Sequence, residues 1–407
     1  MTAGERATPD APETRDIASL LVSRATRLFA FGATSVVLAL HLEGRGFGPA
    51  SFGALVTVTL LGDAALTLGL GLFGSALAKR AVLVGSAFFL AIGLAVFAVS
   101  HEPIVLWVTA TIGILSPSGG EAGPSTAIEQ AAIAGVTLPQ HRPKVYAWYN
   151  LVGSIAVAIG SKAGGSVTEL GGTNLVFLAC AVVVLVGAMP LVRLSPAIES
   201  RTPPPRAPLA KSKKTVGLLS LLFSLDSFGS GLVLQSTLAL WLHMRFGFSP
   251  STLGTLFFVT NLLSAASALL AVRLAKRIGL LRTMVFTHIP ANLFLLGLAF
   301  APTGGIAIAL VCLRFCLAQM DVPARMAFVM RAVPEEERTQ AAVVTSLARS
   351  SGNALGPIVT GAWLASRSFQ IPVILASVVK IAYDIGLYRA FRAHEAAELA
   401  RDATREK

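Results

Sequence analysis

Twelve apolar stretches, divided by polar or Gly/Pro punctuation, fill almost the whole chain. Most are of about 20 residues, and a helix of that length is about 30 Å long, the thickness of a bilayer's hydrocarbon core. They run near 17–42, 51–78, 81–100, 103–135, 145–167 and 173–193, then near 216–243, 250–272, 280–301, 304–332, 339–366 and 370–391. Of 407 residues, 54% are hydrophobic and only 13% charged, against roughly 25% charged in a soluble domain. The pattern predicts an all-α integral membrane protein with twelve transmembrane helices.

Residues 1–16 are polar and mixed in charge, and the first apolar stretch is longer than the core of a cleavable signal, so helix one is expected to stay in the protein. A polar linker over 194–215, with Pro203, Pro204, Pro205, Lys211, Lys213 and Lys214, separates one six-helix bundle (17–193) from a second (216–391), and 392–407 form a charged tail. Lys79, Arg80, Arg142, Lys144, Arg273, Lys276, Arg277, Arg282, the linker and the tail fall on one side. The other side has only scattered cations such as Arg45, Arg245 and Arg367. Basic loops stay in the cytoplasm, so both termini and the linker are expected there, in a multi-pass protein of the plasma (cell inner) membrane. This distribution also accounts for the net charge of +12 without a nucleic-acid partner, since no basic stretch is interleaved with aromatics.

The halves repeat. Gly46-Phe47-Gly48-Pro49 returns as Gly247-Phe248-Ser249-Pro250, followed by matches of Gly53 with Gly254, Leu55 with Leu256 and Thr59 with Thr260. Leu77-Ala78-Lys79-Arg80 returns as Leu274-Ala275-Lys276-Arg277, while Gly160 and Gly165 align with Gly356 and Gly361. All lie about 200 residues apart, and an even helix count makes the halves parallel repeats about an axis along the membrane normal.

Two segments break the apolar pattern. Ser116-Pro117-Ser118-Gly119-Gly120-Glu121-Ala122-Gly123-Pro124 interrupts helix four, and Gln319-Met320-Asp321-Val322-Pro323-Ala324-Arg325 interrupts helix ten at the corresponding place. Interrupted helices at matching positions of two repeats point to a transport site, with carbonyls freed beside each proline. Pro117, Gly119, Gly120, Pro124 and Pro323 are the expected break residues, and Gln319 is a polar candidate within the second break.

With its twelve helices, central linker and duplicated halves, the chain resembles the major facilitator superfamily over nearly its whole length. That resemblance implies secondary transport through a cavity lined by the first and fourth helices of each half. The family's loop signature after helix two is degenerate here. Gly71 keeps its first position, Ser75 stands for the aspartate and Ala78 for the later glycine, and Lys79 and Arg80 remain; in the second copy Val272 replaces the aspartate. Helix five has Gly153, Gly160, Gly164 and Gly165 but lacks the proline of proton-driven exporters, and a Gly356-Pro357 pair occurs in helix eleven.

Intramembrane charges are functional candidates. Arg24 and Arg27 share a face of helix one, and the depth estimate sets Glu121 near Arg24, either as a structural ion pair or as a titratable one. Asp226 and Arg314 lie at matching depth on helices seven and ten and make a second expected pair. Asp63 is a further carboxylate near mid-depth. Arg349 has no local partner and awaits an anionic substrate or an acid from helix seven or ten. Lys380 and Asp384, four residues apart, are expected to neutralise each other. Lys162 is expected to snorkel to the surface, Tyr146, Trp148 and Tyr149 to anchor at the interface, and 335–338 to form a solvated turn.

The expected function is secondary active, proton-coupled export of a small organic molecule by alternating access. Glu121, Asp226, Asp321 and Asp63 are the proton-coupling candidates. Arg24, Arg27, Arg314, Arg325 and Arg349, with Gln319, are substrate contacts or charge partners. The six histidines show no ligand spacing and Cys180, Cys312 and Cys316 read as buried small residues, so no metal, cofactor or enzymatic chemistry is expected, and no Gly-x-x-x-x-Gly-Lys-Ser/Thr loop supports ATP use. A monomer is expected, with lipid, substrate and protons as partners. The alternative is a non-transporting assembly factor, sensor or lipid-handling protein on the same fold.

Overall fold

A computed structural model describes residues 11–73, 77–112, 115–120, 125–138, 140–199 and 209–405. Its helices are α1 (Ala11–Glu43), α2 (Pro49–Phe73), α3 (Lys79–Val99), α4 (Pro103–Thr111), α5 (Ser125–Val136), α6 (Arg142–Ala188), α7 (Lys213–Leu232), α8 (Gln235–Phe246), α9 (Pro250–Ile278), α10 (Leu280–Ala299), α11 (Gly304–Phe315), α12 (Asp321–Ala332), α13 (Arg338–Ala365) and α14 (Gln370–Arg405). Together they make twelve membrane crossings. Helix α6 supplies two, because Gly171 and Gly172 leave helical geometry within it. Three crossings consist of two helices each: α4 with α5, α7 with α8, and α11 with α12.

The repeated Gly-Phe-x-Pro element is a turn. Gly46 and Gly247 adopt φ of +83° and +68°, ending α1 and α8 in left-handed geometry, and Pro49 and Pro250 then open α2 and α9 where their missing N–H costs nothing. Ser249 caps α9 by accepting from Thr252 N at 3.2 Å.

The halves meet through the same contact made twice. A Cβ on Gly53 of α2 would run into Pro357 O and lie 2.9 Å from Gly361 Cα of α13. A Cβ on Gly165 of α6 would run into Pro250 O and lie 3.0 Å from Gly254 Cα of α9. Small residues let backbones approach closely where lipid supplies no hydrophobic drive. Ile358 N donates to Thr57 Oγ1 at 3.0 Å and Lys162 Nζ to Thr255 Oγ1 at 2.7 Å. Lys162, expected to snorkel, is exposed and reaches a hydroxyl of the opposing half.

All these contacts lie on the side away from the termini and linker. Nearer the linker, α2 changes from buried at Phe52, Leu55, Val56 and Thr59 to exposed at Leu61, Leu66 and Leu68. The apolar core divides accordingly. One cluster runs through the first half into the far-side parts of α8, α9, α10 and α11. A second, around Phe223, Phe328 and Tyr383, lies by itself towards the linker side of the second half.

Both ends of the linker are fastened. Ser195 donates from its N–H and hydroxyl to the Asp16 carboxylate. Glu199 accepts from Lys79 N at 2.8 Å and Arg80 N at 3.0 Å, closing the start of α3. The three prolines and Ser75 lie outside the described residues. At the other end Glu337 Oε1 accepts from Lys211 N at 2.7 Å and Ala210 N at 2.8 Å, and its Oε2 from Ser212 N at 3.0 Å. Those backbone donors, Lys211 and Ala210 foremost, hold its carboxyl down to about 2. The 335–338 turn is thus an anchor and not freely solvated, because the Glu337 carboxylate accepts from three consecutive N–H groups leading into α7.

Candidate functional site

The second half encloses a charge network between α7, α10, α12 and α14. On α7, Asp226 and Ser230 are one turn apart and both face α14, where Lys380 donates to Asp226 Oδ1 at 2.6 Å and to Ser230 Oγ at 2.8 Å. Asp321 and Arg325, also one turn apart on α12, bond at 2.8 Å, and the same Arg325 nitrogen lies 3.4 Å from Asp226 Oδ2. From α10, His288 places Nδ1 2.9 Å from Asp384 Oδ1 and Nε2 3.8 Å from Asp226 Oδ1. Asn292 Nδ2 donates to Asp384 Oδ2 at 3.3 Å. Every carboxylate in the group is buried. A charge so placed requires a partner and satisfied lone pairs, and this network supplies both.

Two expected pairs are rearranged. Asp226 does not pair with Arg314; Lys380 and Arg325 take its two oxygens. Lys380 and Asp384 do not neutralise each other, because packing of α7 and α10 against α14 offers each a closer partner, Asp226 and His288. Arg314, 8% exposed, has no hydrogen-bonded partner at Nε, and its guanidinium lies 5.0 Å from the Phe315 ring centroid. Arg349 of α13 is half-buried and donates from Nε to Ser227 Oγ at 3.3 Å.

The first half holds a smaller network. Arg27 grips Glu129 of α5 with both terminal nitrogens, at 2.7 and 2.8 Å. Tyr149 donates its hydroxyl to Glu129 Oε2 at 2.7 Å. Arg24 lies with Cζ 3.6 Å from the Tyr149 ring centroid, donates from Nε to Tyr149 O at 2.9 Å, and stands 3.9 Å from Glu129. Tyr149 is therefore no interfacial anchor; it is wholly buried, whereas Trp148 is 54% exposed. Glu129 went unremarked in the sequence although it shares the fourth apolar run with Glu121. A second carboxylate in one membrane segment was its signal.

Pro117, Gly119 and Gly120 form the turn between α4 and α5, while Glu121 and Pro124 lie outside the described residues. The break bonds to the seventh crossing. Pro117 O accepts from Ser236 N at 3.1 Å, within the first turn of α8. Gly119 has φ of +71°, and a Cβ there would come within 2.7 Å of Ser35 Oγ and 3.0 Å of Gln235 Nε2. Gln235 in turn donates to Ser35 Oγ at 2.8 Å and Ser161 Oγ at 3.2 Å, and accepts from Asn261 Nδ2 at 3.2 Å. Uncharged residues from both halves thus close over the centre, a polar network that single residues scattered over five crossings did not announce. In the other break, Gln319 is half-buried in the turn over 316–320 and Pro323 sits in the first turn of α12. Asp63 lies half-buried on α2, beyond Thr59.

The sequence model of the Major Facilitator Superfamily matches residues 20–357 and again 219–406. An uncharacterized membrane protein of Saccharomyces cerevisiae, YJR124C, is 29% identical over 91% of this chain and 93% of its own length. Among solved structures, a bacterial homologue of the human lysosomal transporter Spinster, inward-facing and occupied, superposes with a TM-score of 0.75 at 14% identity, covering 95% of this chain and 98% of that one. The nucleoside transporter NupG gives 0.71 at 14% identity over 92% and 98%. A bacterial homologue of the iron transporter ferroportin, in its inward-facing state, gives 0.70 at 14% identity over 92% and 98%. Matched over both of its halves and built on their fold, the chain belongs to the Major Facilitator Superfamily of membrane transporters.

Proposed function

We propose that the protein is a proton-coupled secondary transporter that exports a small organic molecule across the plasma membrane by alternating access, as a monomer. The observation that carries this reading is the duplicated glycine contact, Gly53 on Gly361 and Gly165 on Gly254. It presses the halves together on the far side, while the core divides on the linker side. Two rigid bundles hinged on such a contact can rock about a central site. The excess of Lys and Arg in the linker-side loops favours the cytoplasm for that side, so the site would load from within.

Asp226 supports the coupling role. Lys380 and Arg325 bond it, and His288 stands within 3.8 Å. Protonating Asp226 leaves those cations to seek other anions, which couples a proton to the network's geometry. Asp321 shares Arg325 and would respond with it. Glu121 and Asp63 remain coupling candidates on sequence grounds, and Glu129 joins them through its hold on Arg27.

Leu225→Cys, beside Asp226 on an exposed stripe of α7, tests the reading in oriented vesicles with an impermeant maleimide. Labelling from the linker side at rest, and from either side according to an imposed pH gradient, is the expected result. Labelling confined to one side under every gradient would defeat alternating access. A gradient response kept intact in Asp226→Asn and Asp321→Asn would defeat the carboxylate role alone.

A further inference from the structure

The partners in the second half do not balance. Three carboxylates are buried in its charge network and each is taken: Asp226 by Lys380, Asp321 by Arg325, and Asp384 by His288. Two guanidiniums at the same depth, Arg314 and Arg349, have no carboxylate of the described residues in bonding range. Arg314 lies over the ring of Phe315 and has a bare Nε; Arg349 has one hydroxyl, Ser227. An arginine stays protonated in any protein environment, so each is a fixed positive charge. Arg314 sits about 15 Å along α11 from the far side and Arg349 about 16 Å along α13 from the linker side, so both reach mid-membrane. Arg349 is bonded to Ser227, the residue that follows Asp226 on α7, and the charge of Asp226 reaches Arg314 as well, so both arginines belong to the surroundings of the same carboxylate.

We propose that Arg314 and Arg349 form an anion site, and that the transported molecule is a small organic anion carrying a carboxylate or phosphate. The word "transported" rests on the alternating-access reading; the site does not. A buried cation without a partner is costly, and an anion that supplies the missing charge relieves that cost on binding. The planar fork of a guanidinium matches carboxylate and phosphate oxygens in pairs, which chloride cannot match. Arg349 is only half-buried, which leaves it open to an arriving anion. The negative charge of Asp226 reaches both guanidiniums, so protonating it leaves them more positive and favours an arriving anion. Substrate and proton would then share one set of charges.

The test is arginine modification of the purified full chain by phenylglyoxal, read at Arg314 and Arg349 by peptide mass spectrometry. Sodium benzoate, inorganic phosphate and sodium chloride are compared at equal ionic strength. Benzoate or phosphate should slow modification at both positions, chloride should not, and benzamide, the neutral counterpart of benzoate, should not. Arg314→Gln should weaken protection at Arg349 about tenfold, the loss of one charged hydrogen bond, with Arg314→Lys in between. Modification of neither residue, equal protection by chloride, or protection by no anion would overturn the site. Protection only in vesicles containing phosphatidylglycerol would assign the cations to a lipid headgroup and equally overturn it. The unmodified wild-type chain decides these outcomes even if a variant fails to fold. Protection together with one-sided Leu225→Cys labelling would keep the anion site and remove transport; two-sided labelling without protection would do the reverse.

Discussion

Lys380 Nζ lies 2.6 Å from Asp226 Oδ1, tying α14 to α7 with both side chains almost fully enclosed. Removing one member of such a pair strands the other charge. Asp226→Asn should therefore cost about 3–5 kcal/mol of stability, measured as thermal unfolding in detergent. The double change Asp226→Leu with Lys380→Met should recover most of that loss, since a packed apolar pair often matches a buried ion pair in stability. Both variants should lose the pH-gradient response. A double variant no more stable than Asp226→Asn would show that the pair is not the dominant contact.

Arg27 and Glu129 meet through two parallel bonds of 2.7 and 2.8 Å. A lysine keeps the charge but cannot supply the fork, so Arg27→Lys should behave as a damaging change and lower the melting temperature by several degrees. Tyr149→Phe, which removes only the hydroxyl bond to Glu129, should cost about 1 kcal/mol. Equal melting temperatures for Arg27→Lys and the wild type would refute the bidentate role.

Any side chain at Gly53 must displace the backbone at Pro357. Gly53→Val should wedge the halves apart on the far side and raise maleimide labelling of Leu225→Cys from there. The repeat makes a second prediction: Gly165→Val, which meets Pro250 O in the same way, should act alike. Unchanged far-side labelling in both variants would remove the seal from the mechanism.

Glu337 gives a pH dependence whose sign is set by its backbone donors. Its carboxyl is held to about 2 when folded, against an ordinary 4.5. Its contribution to stability is thus complete above about pH 5 and fades as pH falls from there towards about 2. The difference in melting temperature between the wild type and Glu337→Gln should be constant from neutral pH to about 5 and shrink below. A difference that grows on acidification would refute the anchor.

The helix count, the duplication and the broken crossings were legible in the chain because each leaves a periodic or compositional mark. Pro117 and Pro323 could be placed from their own backbone chemistry. Partners were harder. Lys380 and Asp384 satisfy the one-turn rule for an ion pair, yet both turn to other helices, since in a bundle the choice among partners is made by packing across crossings. Likewise Gly53 and Gly254 were visible as repeat positions, but only the folded chain shows that each touches the repeat partner of the other's neighbour. Glu129 was marked only as a second carboxylate in an apolar run and His288 by no motif, so three-dimensional proximity is what gives each its partner.

The bond from Ser236 N to Pro117 O joins main chain to main chain across the two halves. A latch made of side chains can be erased by almost any substitution, and drifts as sequences diverge. This one is nearly invisible to mutation: of the twenty residues, only proline at 236 deletes its donor, and proline is tolerated in the first turn of a helix. Relatives could change every side chain around the break and keep the closure. An engineer wishing to bias the protein open has one place to delete this donor, Ser236→Pro, at a position in the first turn of α8 where proline is tolerated.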